Sequence, residues 1–420
     1  MQHSDNSMFK TIPNRPVNGI LAAPASKSYL QRALAIACLS NQNCTIVNFY
    51  PSSDALAAIN IAKNLGAKIN IDGTFLYLQP GEMNSTKTLL NCGEAGLSTR
   101  MFAPIAAIFP RKTTITGEGS IMERPMHMIE EALQQLGAEV SSNKHYLPLQ
   151  VQGPIRSGCI TIDGSESSQL LSGLLIALPT LQGDSTIKVL NLKSTPYIQM
   201  TLAILKDFGV EVTHENFEEF HIKGDQKPSL SEYFVEGDWS GASFPMVAAA
   251  ISGKVEITGL NVRSAQADKA ILQALALSGA KTVIQEDKIA IQKGDLKAFH
   301  FDATNCPDLF PPLAALAACC EGTSIIHGIE RLTHKESNRA LTIQEEFKKL
   351  NIPVTLEGNN MLIEKATVIG GEVSSRNDHR IAMATAILAS VAESPVTIKN
   401  SLAVNKSYPT FYEDLASIKP

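Results

Sequence analysis

Apolar residues along this chain are grouped in a pattern that recurs about every 70 residues. Six Ala-rich segments would be apolar on nearly all sides of a helix, and such helices are typically buried. These segments read QRALAIACL, TRMFAPIAAI, SQLLSGLLIAL, ASFPMVAAAI, LFPPLAALAAC and HRIAMATAILA. The pattern therefore predicts six buried helices, one in each of six repeats.

A short β-branched run follows each of these helices and predicts a strand. The runs read CTIV, TTIT, STIK, VEIT, TSII and VTIK. Their isoleucines are Ile46, Ile115, Ile187, Ile257, Ile325 and Ile398, and successive members are 68 to 73 residues apart. We therefore interpret the six isoleucines as one series.

A second helix in each repeat is predicted to end at a glycine or an asparagine. These residues are Gly66, Gly137, Gly209, Gly279 and Asn351, with spacings of 70 to 72. Gly or Asn just past a helix typically adopts the left-handed conformation that ends it. One repeat is thus predicted to contain a helix, a strand, a loop, a second helix, a turn and further strands.

The last repeat lacks its final strands, and the leading segment FKTIPNRPVNGI can supply one of them. The chain would then cross twice between two lobes of three repeats each. We predict one lobe of residues 22–236 and a second lobe of residues 1–21 plus 237–420. A solenoid scaffold is the alternative that the repeats alone leave open.

Composition places the chain among globular proteins of two-domain size. It has 420 residues, 18% charged residues and a net charge of −5. A mildly acidic chain without a long basic run argues against a dedicated nucleic-acid or membrane-surface binder. The seven cysteines lack CxxC or zinc-site spacing, and the N-terminus does not read as a signal peptide. We therefore expect a cytoplasmic protein with reduced thiols.

The starts of the six buried helices carry small, N-capping and basic residues. They read SKSYLQR, GLSTR, SSQ, SGAS, PDLF and NDHR. Helix N-termini expose N–H groups and a partial positive charge, so several that converge can bind anions. Ordinary capping would explain any single start. Six starts in register favour a site for ligands with several negative charges, in a cleft between the lobes.

Loops after the predicted strands carry a second polar set. They read ERPM at 123–126, STPY at 194–197, HKESNR at 334–339 and NKSYP at 405–409. Arg binds carboxylate or phosphate bidentately, and Lys supplies a compact charge. Glu336 lies between Lys335 and Arg339, where it could form a surface ion pair or, in a cleft, transfer protons.

Taken in order, these segments resemble the signatures of the EPSP synthases, a family of enolpyruvyl transferases. The segments are APASKSYLQRA, GEGSIMERPM, GSESSQLLSG, STPYIQMTL, VEGDWSGASF, CPDLF, HKESNRA, RNDHRIAMA and NKSYPTFYEDL, spanning nearly the whole chain. Each segment alone is a weak signal, but the ordered set is specific. The resemblance implies an α/β fold, namely a two-lobed inside-out α/β barrel of six βαβαββ repeats with buried helices and outer sheets.

The resemblance also implies a reaction and its substrates. The family transfers the carboxyvinyl group of phosphoenolpyruvate to the 5-hydroxyl of shikimate 3-phosphate and releases phosphate, in aromatic amino-acid biosynthesis. It uses no metal and no organic cofactor, and we expect a monomer.

Motif matching implies which residues bind and react. Catalysis would fall to Lys27, Asp308 and Glu336. Shikimate 3-phosphate would contact Lys27, Ser28, Arg32, Ser167, Ser168, Gln169, Ser194, Tyr197, Asp308 and Lys335. Phosphoenolpyruvate would contact Lys27, Gly96, Arg124, Gln169, Arg339, Arg380 and Lys406. Asp308 would take the 5-hydroxyl proton, and the resemblance leaves open whether Lys27 or Glu336 serves C3.

Two positions depart from the family pattern. Glu94 and Leu97 stand where the family usually has Asn and Thr. A carboxylate about 5 Å from an anionic substrate would cost roughly 3 kcal/mol at an effective dielectric of 20. We therefore expect Glu94 to be held by a cation such as Arg100 or to point away. Arg331 stands where an Asn is usual and could strengthen phosphate binding.

Two other functions remain as alternatives. One is the sister enolpyruvyl transferase that acts on UDP-N-acetylglucosamine, which typically carries a reactive Cys in the loop that corresponds to residues 111–125; that segment contains none here. The other is a non-catalytic relative that binds a shikimate phosphate, a reading suggested by Glu94 and Leu97. The nine histidines lack metal-ligand spacing, so no metal site is predicted.

Overall fold

A computed structural model describes residues 8–81, 88–333 and 335–418 of the chain. The predicted second lobe also includes residues 1–7 and 419–420, and the HKESNR segment includes His334; these positions lie outside the described residues. The helices are α1 (Lys27–Cys38), α2 (Ser53–Leu65), α3 (Gly96–Ala107), α4 (His127–Gln135), α5 (Gln169–Ala177), α6 (Thr195–Asp207), α7 (Trp239–Ser252), α8 (Ile271–Ser278), α9 (Phe310–Ala317), α10 (Arg339–Lys349), α11 (His379–Leu388) and α12 (Phe411–Ser417).

The strands follow the same repeat. They are β1 (Phe9–Ile12), β2 (Asn18–Ala22), β3 (Cys44–Val47), β4 (Lys68–Asp72), β5 (Phe75–Gln79), β6 (Leu89–Asn91), β7 (Lys112–Thr116), β8 (Glu139–Asn143), β9 (Tyr146–Gln152), β10 (Cys159–Asp163), β11 (Ser185–Leu190), β12 (Val212–Glu215), β13 (Glu219–Ile222), β14 (Glu232–Phe234), β15 (Lys254–Thr258), β16 (Lys281–Ile284), β17 (Lys288–Gln292), β18 (His300–Asp302), β19 (Thr323–His327), β20 (Val354–Glu357), β21 (Asn360–Glu364), β22 (Gly371–Ser374) and β23 (Val396–Lys399).

The six Ala-rich segments form the predicted buried helices, which are α1, α3, α5, α7, α9 and α11. Almost every residue of these helices is buried, so the prediction is confirmed. Small residues let neighbouring helix backbones approach closely. A Cβ placed on Gly173 of α5 would lie 2.6 Å from the carbonyl oxygen of Met101 in α3, which leaves no room for a side chain.

The six β-branched runs form β3, β7, β11, β15, β19 and β23, as predicted. Five isoleucines of the series face the core and are at most 1% exposed. The exception is the fifth run, where Ile325 is only partly buried and the core residue is Ile326, at 0% exposure. In this run the residue equivalent to the other five core isoleucines is therefore Ile326. Side chains alternate between the two faces of a strand, and adjacent isoleucines fit either register.

The predicted helix ends are also confirmed. Backbone φ is positive at all five positions, with values of +121° at Gly66, +89° at Gly137, +74° at Gly209, +87° at Gly279 and +68° at Asn351. Positive φ is readily accessible to Gly and tolerated by Asn, which explains why these two residue types recur there.

The described strands form five four-stranded sheets and one three-stranded sheet. In the second repeat β6 and β7 pair in parallel, and β9 and β8 extend the sheet with antiparallel pairing. The third and fifth repeats show the same order, β10-β11-β13-β12 and β18-β19-β21-β20. The parallel pair brackets a buried helix, as the predicted βαβαββ repeat requires.

The first and fourth repeats exchange their leading strands. Strand β2 precedes α1 in the chain but pairs in parallel with β15, with Asn18 opposite Lys254. Strand β14 precedes α7 but pairs in parallel with β3, with Glu232 opposite Thr45. Strand β1 joins the sheet of the last repeat, antiparallel to β23.

The chain divides into two compact units. The N unit comprises Ala25–Glu236, and the C unit comprises Gly237 onward together with the residues up to Pro24. The second boundary coincides with the predicted one, and the first lies three residues beyond it. The later position follows from the structure, because β2 continues through Ala22 and the N–H of Ala23 donates to Thr258 O at 2.9 Å.

Candidate functional site

Lys27, the first residue of α1, is anchored by an acidic residue of α2. Its Nζ lies 2.7 Å from Asp54 Oδ2, and the two side chains are 15% and 11% exposed. Gln31, one turn along α1, donates to Asp54 O at 3.2 Å and to Ser98 Oγ at 2.9 Å. These contacts join the starts of α1, α2 and α3. Asp54 was not predicted as a site residue, because an acidic residue in a first helical turn usually stabilises the helix end.

Two arginines converge on the start of α3. A Cβ placed on Gly96 would lie 2.9 Å from Arg124 Nη1 and 3.1 Å from Arg100 Nη1. Arg100 Nη1 also donates to Gln169 Oε1 at 3.0 Å. Burial, with Arg124 adding to it, lowers the pKa of Arg100 to about 10, so the Arg100 guanidinium remains charged at neutral pH. Paired guanidiniums beside a helix N-terminus form an anion-binding site. Arg100 was not among the predicted binding residues.

Arg32 is buried in a network that links α1 with α6. Its Nε donates to Thr201 Oγ1 at 2.8 Å, and its Nη1 donates to Ser28 O at 3.0 Å. Its Nη2 lies 3.4 Å from both Ser172 Oγ and Tyr197 O. Burial lowers the pKa of Arg32 to about 10. These contacts with described residues use four of the five guanidinium N–H groups, so Arg32 fixes the backbone of predicted binding residues.

The predicted serines lie at the starts of α5 and α6. Ser167 Oγ accepts a hydrogen bond from Gln169 N at 3.2 Å. Ser168 O accepts one from Ser172 N at 3.1 Å and so begins α5. Ser194, at the N-cap of α6, has a φ of +59° and is 4% exposed. A non-glycine residue in this conformation is strained, and such strain often marks a functional position.

In the C unit, Arg339 is the centre of an ion-pair cluster. Its side chain is 0% exposed, and it lies 2.9 Å from Asp308 and 2.6 Å from Glu336. A third carboxylate, that of Asp378, lies 3.0 Å from its Nε. Burial alone would lower the pKa of Arg339, but Asp378, Glu336 and Asp308 raise it above its usual value. Arg339 is therefore a permanent cation held by three carboxylates.

Asp308 lies between two guanidiniums. Its Oδ2 is 2.9 Å from Nη2 of Arg380, and its other oxygen contacts Arg339. Burial alone would raise the pKa of Asp308, but Arg380, Lys335 and Arg339 hold it well below the usual range. Asp308 is therefore ionised at neutral pH, and its side chain is 23% exposed.

Lys335 has a pKa close to neutrality. Burial lowers the pKa of Lys335 to about 8, and Asp308 opposes this shift. The charges of Arg339 and Arg331 lower the pKa further. Arg331, which departs from the family pattern, thus acts electrostatically on a predicted binding residue.

Lys406 is held by the loop that precedes α11. Its Nζ donates to Asn377 O at 2.6 Å, and the residue is 7% exposed. Both Arg376 and Asn377 have positive φ values, +51° and +59°. The next residue, Asp378, caps α11 by accepting from Arg380 N at 2.9 Å. Lys406 and Arg380 are therefore positioned by one short loop.

Asp268 is a buried carboxyl that the sequence did not identify. It is 4% exposed, and its Oδ2 accepts a hydrogen bond from Ser240 Oγ. Burial, then the charge of Asp308, raises the pKa of Asp268 to about 7. Its place in the segment SAQADKA predicts an exposed cap, so only the tertiary structure reveals its proximity to Asp308.

Three potential metal ligands cluster in the C unit. Glu336, Asp378 and His379 each offer an atom within 4.8 Å of the others. Arg339 donates to both carboxylates, at 2.6 and 3.0 Å. The guanidinium therefore already offsets part of the negative charge of this cluster.

The structure places the predicted residues in two groups, one in each unit. The N unit contains Lys27, Ser28, Arg32, Gly96, Arg124, Ser167, Ser168, Gln169, Ser194 and Tyr197. The C unit contains Asp308, Lys335, Glu336, Arg339, Arg380 and Lys406. Among the additional residues that contact them, three are charged, namely Asp54, Arg100 and Asp378, and a fourth charged residue, Asp268, lies close to Asp308.

Comparison with known proteins identifies similar sequences over nearly the whole chain. Residues 12–415 match the family model described as EPSP synthase (3-phosphoshikimate 1-carboxyvinyltransferase). A 3-phosphoshikimate 1-carboxyvinyltransferase of Clostridium novyi is 37% identical over 98% of this chain and 97% of its own. The enzyme of that name from Methanocella arvoryzae is 35% identical, over 98% and 99% of the two chains.

Solved structures show the same fold. The EPSP synthase of Acinetobacter baumannii aligns with a TM-score of 0.82 and 25% identity, over 98% of both chains. The enolpyruvyl transferase NikO of Streptomyces tendae aligns with a TM-score of 0.78 and 15% identity, over 98% of this chain and 97% of its own. The mixed α/β architecture is therefore the two-lobed enolpyruvyl transferase fold.

Proposed function

The chain belongs to the EPSP synthase family, and from this premise we propose that it is a 3-phosphoshikimate 1-carboxyvinyltransferase. It transfers the carboxyvinyl group of phosphoenolpyruvate to the 5-hydroxyl of shikimate 3-phosphate and releases phosphate, a step of aromatic amino-acid biosynthesis. Within the structure, the proposal rests on the pair of buried guanidiniums at the start of α3, those of Arg100 and Arg124. Such a pair suits a substrate that carries both a phosphate and a carboxylate.

A first set of residues is assigned to phosphoenolpyruvate. They are Lys27, Gly96, Arg124, Gln169, Arg339, Arg380 and Lys406. The phosphate and carboxylate groups of the two substrates repel each other, so bringing them together requires preorganised cations. Arg339 already contacts three carboxylates, so a substrate carboxylate would compete with them for this guanidinium.

Shikimate 3-phosphate is assigned to a second set. It comprises Lys27, Ser28, Arg32, Ser167, Ser168, Gln169, Ser194, Tyr197, Asp308 and Lys335. Arg32 supports this assignment because it holds the carbonyl oxygens of Ser28 and Tyr197. The two residues are thereby fixed before the substrate arrives, which lowers the entropic cost of binding.

The addition step requires a base for the 5-hydroxyl. As the hydroxyl oxygen bonds to C2 of phosphoenolpyruvate, its proton becomes strongly acidic. Asp308 is ionised at neutral pH and can accept that proton despite its low pKa. Its ion pairs with Arg339 and Arg380 fix both of its oxygens.

The proton that C3 gains during addition comes from Lys27 or Glu336. The tetrahedral adduct then loses a proton from C3 while its C2–O bond to phosphate breaks, which restores the double bond. Lys27 is paired with Asp54 and Glu336 with Arg339, so both groups have a fixed orientation.

Similarity to the curated relatives favours shikimate 3-phosphate over UDP-N-acetylglucosamine as the acceptor substrate. Relatives at 35–37% identity bear the name 3-phosphoshikimate 1-carboxyvinyltransferase. A non-catalytic relative would bind the substrates without releasing phosphate. A measurement of turnover therefore distinguishes this alternative from the proposed enzyme.

The decisive experiment measures phosphate release by purified protein given both substrates. We expect release only when shikimate 3-phosphate and phosphoenolpyruvate are both present, together with an enolpyruvyl product detected by mass spectrometry. Parallel reactions omit each substrate in turn or replace the shikimate with UDP-N-acetylglucosamine. Release that needs only one substrate, or that needs the nucleotide sugar, would refute the proposal.

Further predictions concern the oligomeric state, location and partners of the protein. Among the described residues, no helix has both the length and the apolar character that a membrane crossing requires. We propose a monomer in the cytoplasm, with no nucleic-acid or membrane partner and no cofactor. All seven cysteines lie in the described part of the chain and none forms a disulfide there.

A further inference from the structure

The turn that precedes α3 packs against the loop that leads to Arg124. The N–H of Cys92 donates to Thr116 O at 2.8 Å, and the N–H of Glu118 donates to Gly93 O at 2.8 Å. These backbone hydrogen bonds join residues 92–93 to the end of β7 and the residues beyond it. The position of the turn before α3 therefore constrains the position of the loop that leads to Arg124.

Glu94 adds a side-chain contact to this junction. Its Oε2 accepts a hydrogen bond from the backbone N–H of Ser120 at 3.2 Å. The adjoining residue, Gly119, has a φ of +58°, and any side chain there would overlap the Glu94 carboxylate. The backbone of this loop thus lies directly against the carboxylate, at a position whose positive φ favours glycine.

The contact continues to the anion-binding guanidinium. Ser120 Oγ accepts a hydrogen bond from Arg124 Nη2 at 3.3 Å. The other terminal nitrogen of Arg124 faces Gly96, two residues after Glu94. Glu94, Ser120 and Arg124 therefore form a connected path that begins and ends at the start of α3.

We propose that Glu94 is a positioning residue that holds the Ser120 loop so that Arg124 faces the start of α3. The inference rests on the proposed function, in which Arg124 binds phosphoenolpyruvate. The acceptor oxygen performs the positioning, whereas the negative charge opposes the anionic substrate. Glu94 thus has two effects on phosphoenolpyruvate binding, and they have opposite signs.

Two substitutions separate these effects. Glu94→Gln keeps an acceptor oxygen and removes the charge, so the KM for phosphoenolpyruvate stays equal to that of the parent or falls. Glu94→Ala removes the acceptor as well, so this KM rises about tenfold, while the KM for shikimate 3-phosphate changes less than about twofold. Glu123→Ala is the matched control, since it removes an exposed carboxylate from the same loop, and its effect stays below about twofold.

Several outcomes would overturn the proposal. A lower KM for phosphoenolpyruvate in both Glu94 variants would show that the charge of Glu94 acts on binding and that its acceptor oxygen does not position Arg124. Equal increases in both variants, or no change in either, would show that the acceptor does not position Arg124. Equal increases for both substrates would indicate a general structural defect.

Hydrogen exchange at the Ser120 amide tests the same idea without turnover. We expect faster exchange in Glu94→Ala and parent-like exchange in Glu94→Gln, with β11 as an internal reference. Equal exchange at Ser120 in all three proteins would refute the positioning role. This readout stays valid if the parent protein releases no phosphate, so failure of the proposed function and failure of this inference are distinguishable.

Discussion

Lys335 should give the reaction a pH dependence of its own. Its pKa of about 8 means that its charge is lost at moderately alkaline pH. A neutral amine no longer attracts the phosphate of shikimate 3-phosphate, so kcat/KM for this substrate should fall about tenfold per pH unit above roughly pH 8. Initial rates between pH 6.5 and 9.5 would measure this fall.

The control for this titration is Lys335→Arg. A guanidinium stays charged throughout that pH range, so the alkaline fall should disappear or move to higher pH. An unchanged profile in the arginine variant would show that another group titrates. The magnitude of kcat/KM at pH 7 is the less informative quantity, because arginine also changes the geometry of the contact.

Lys27 should be essential for turnover and dispensable for folding. We expect Lys27→Met to lower kcat at least ~100-fold, as removal of an acid–base group does, in a protein that still folds but has a lower thermal midpoint, because Asp54 loses this ion pair. The matched control is Lys63→Met, an exposed lysine in the last turn of α2, which should keep parent activity. Near-normal turnover in the Lys27 variant, or an equal loss in the control, would contradict the assignment.

The sequence identified Lys27 and Arg339 but not the carboxylates that hold them. Asp54 and Asp378 lie 27 and 39 residues from their partners. Both occur at helix starts, where an acidic residue is already explained by capping. A pattern along the sequence cannot distinguish an acidic residue that only stabilises a helix start from one that also pairs with a basic side chain of another helix.

Strand β19 offers a direct test of side-chain direction. Ile326 is 0% exposed and Ile325 is only partly buried. We expect Ile326→Ala to cost about 2–4 kcal/mol and Ile325→Ala about 1 kcal/mol or less. Thermal unfolding of the two variants under one condition provides the comparison. Equal destabilisation would mean that the strand does not present Ile326 alone to the core.

The same strand shows which features of an element a sequence can predict. The β-branched runs predicted all six of these strands. The Gly and Asn residues predicted where the second helices end, and these residues have positive φ in the structure. Register in β19 did not follow, because two adjacent isoleucines satisfy the alternation equally well. Only the packing of Ile326 against the core distinguishes them.

Topology over long distances was predictable only in part. The leading segment was expected to supply a strand to the last repeat, and β1 does pair with β23. The exchange of β2 and β14 between the first and fourth repeats was not expected. By composition, β2 and β14 could each pair with β3 or with β15. The observed pairing depends on where the chain passes from one unit to the other.

Removal of β1 should therefore destabilise the sheet that contains β23, near the C-terminal end of the chain. Phe9–Ile12 pairs with Val396–Lys399, and Thr11 Oγ1 lies 3.0 Å from Thr397 Oγ1. Deletion of residues 1–13 would leave β23 as an edge strand, with unpaired backbone groups on one side. We expect a loss of about 2–3 kcal/mol, from about one kcal/mol for each of a few hydrogen bonds.

Hydrogen exchange locates this effect within the molecule. Successive N–H groups of β23 point alternately towards β1 and β22, so about half of its amides should lose protection on deletion. The central strand β11 of the N unit pairs with other partners and should keep its protection. Deletion of residues 1–7 alone, which spares β1, is the matched control. Parent-like exchange at β23 in the longer deletion would show that β1 does not protect that edge, whereas uniform loss in β11 and β23 would indicate global unfolding.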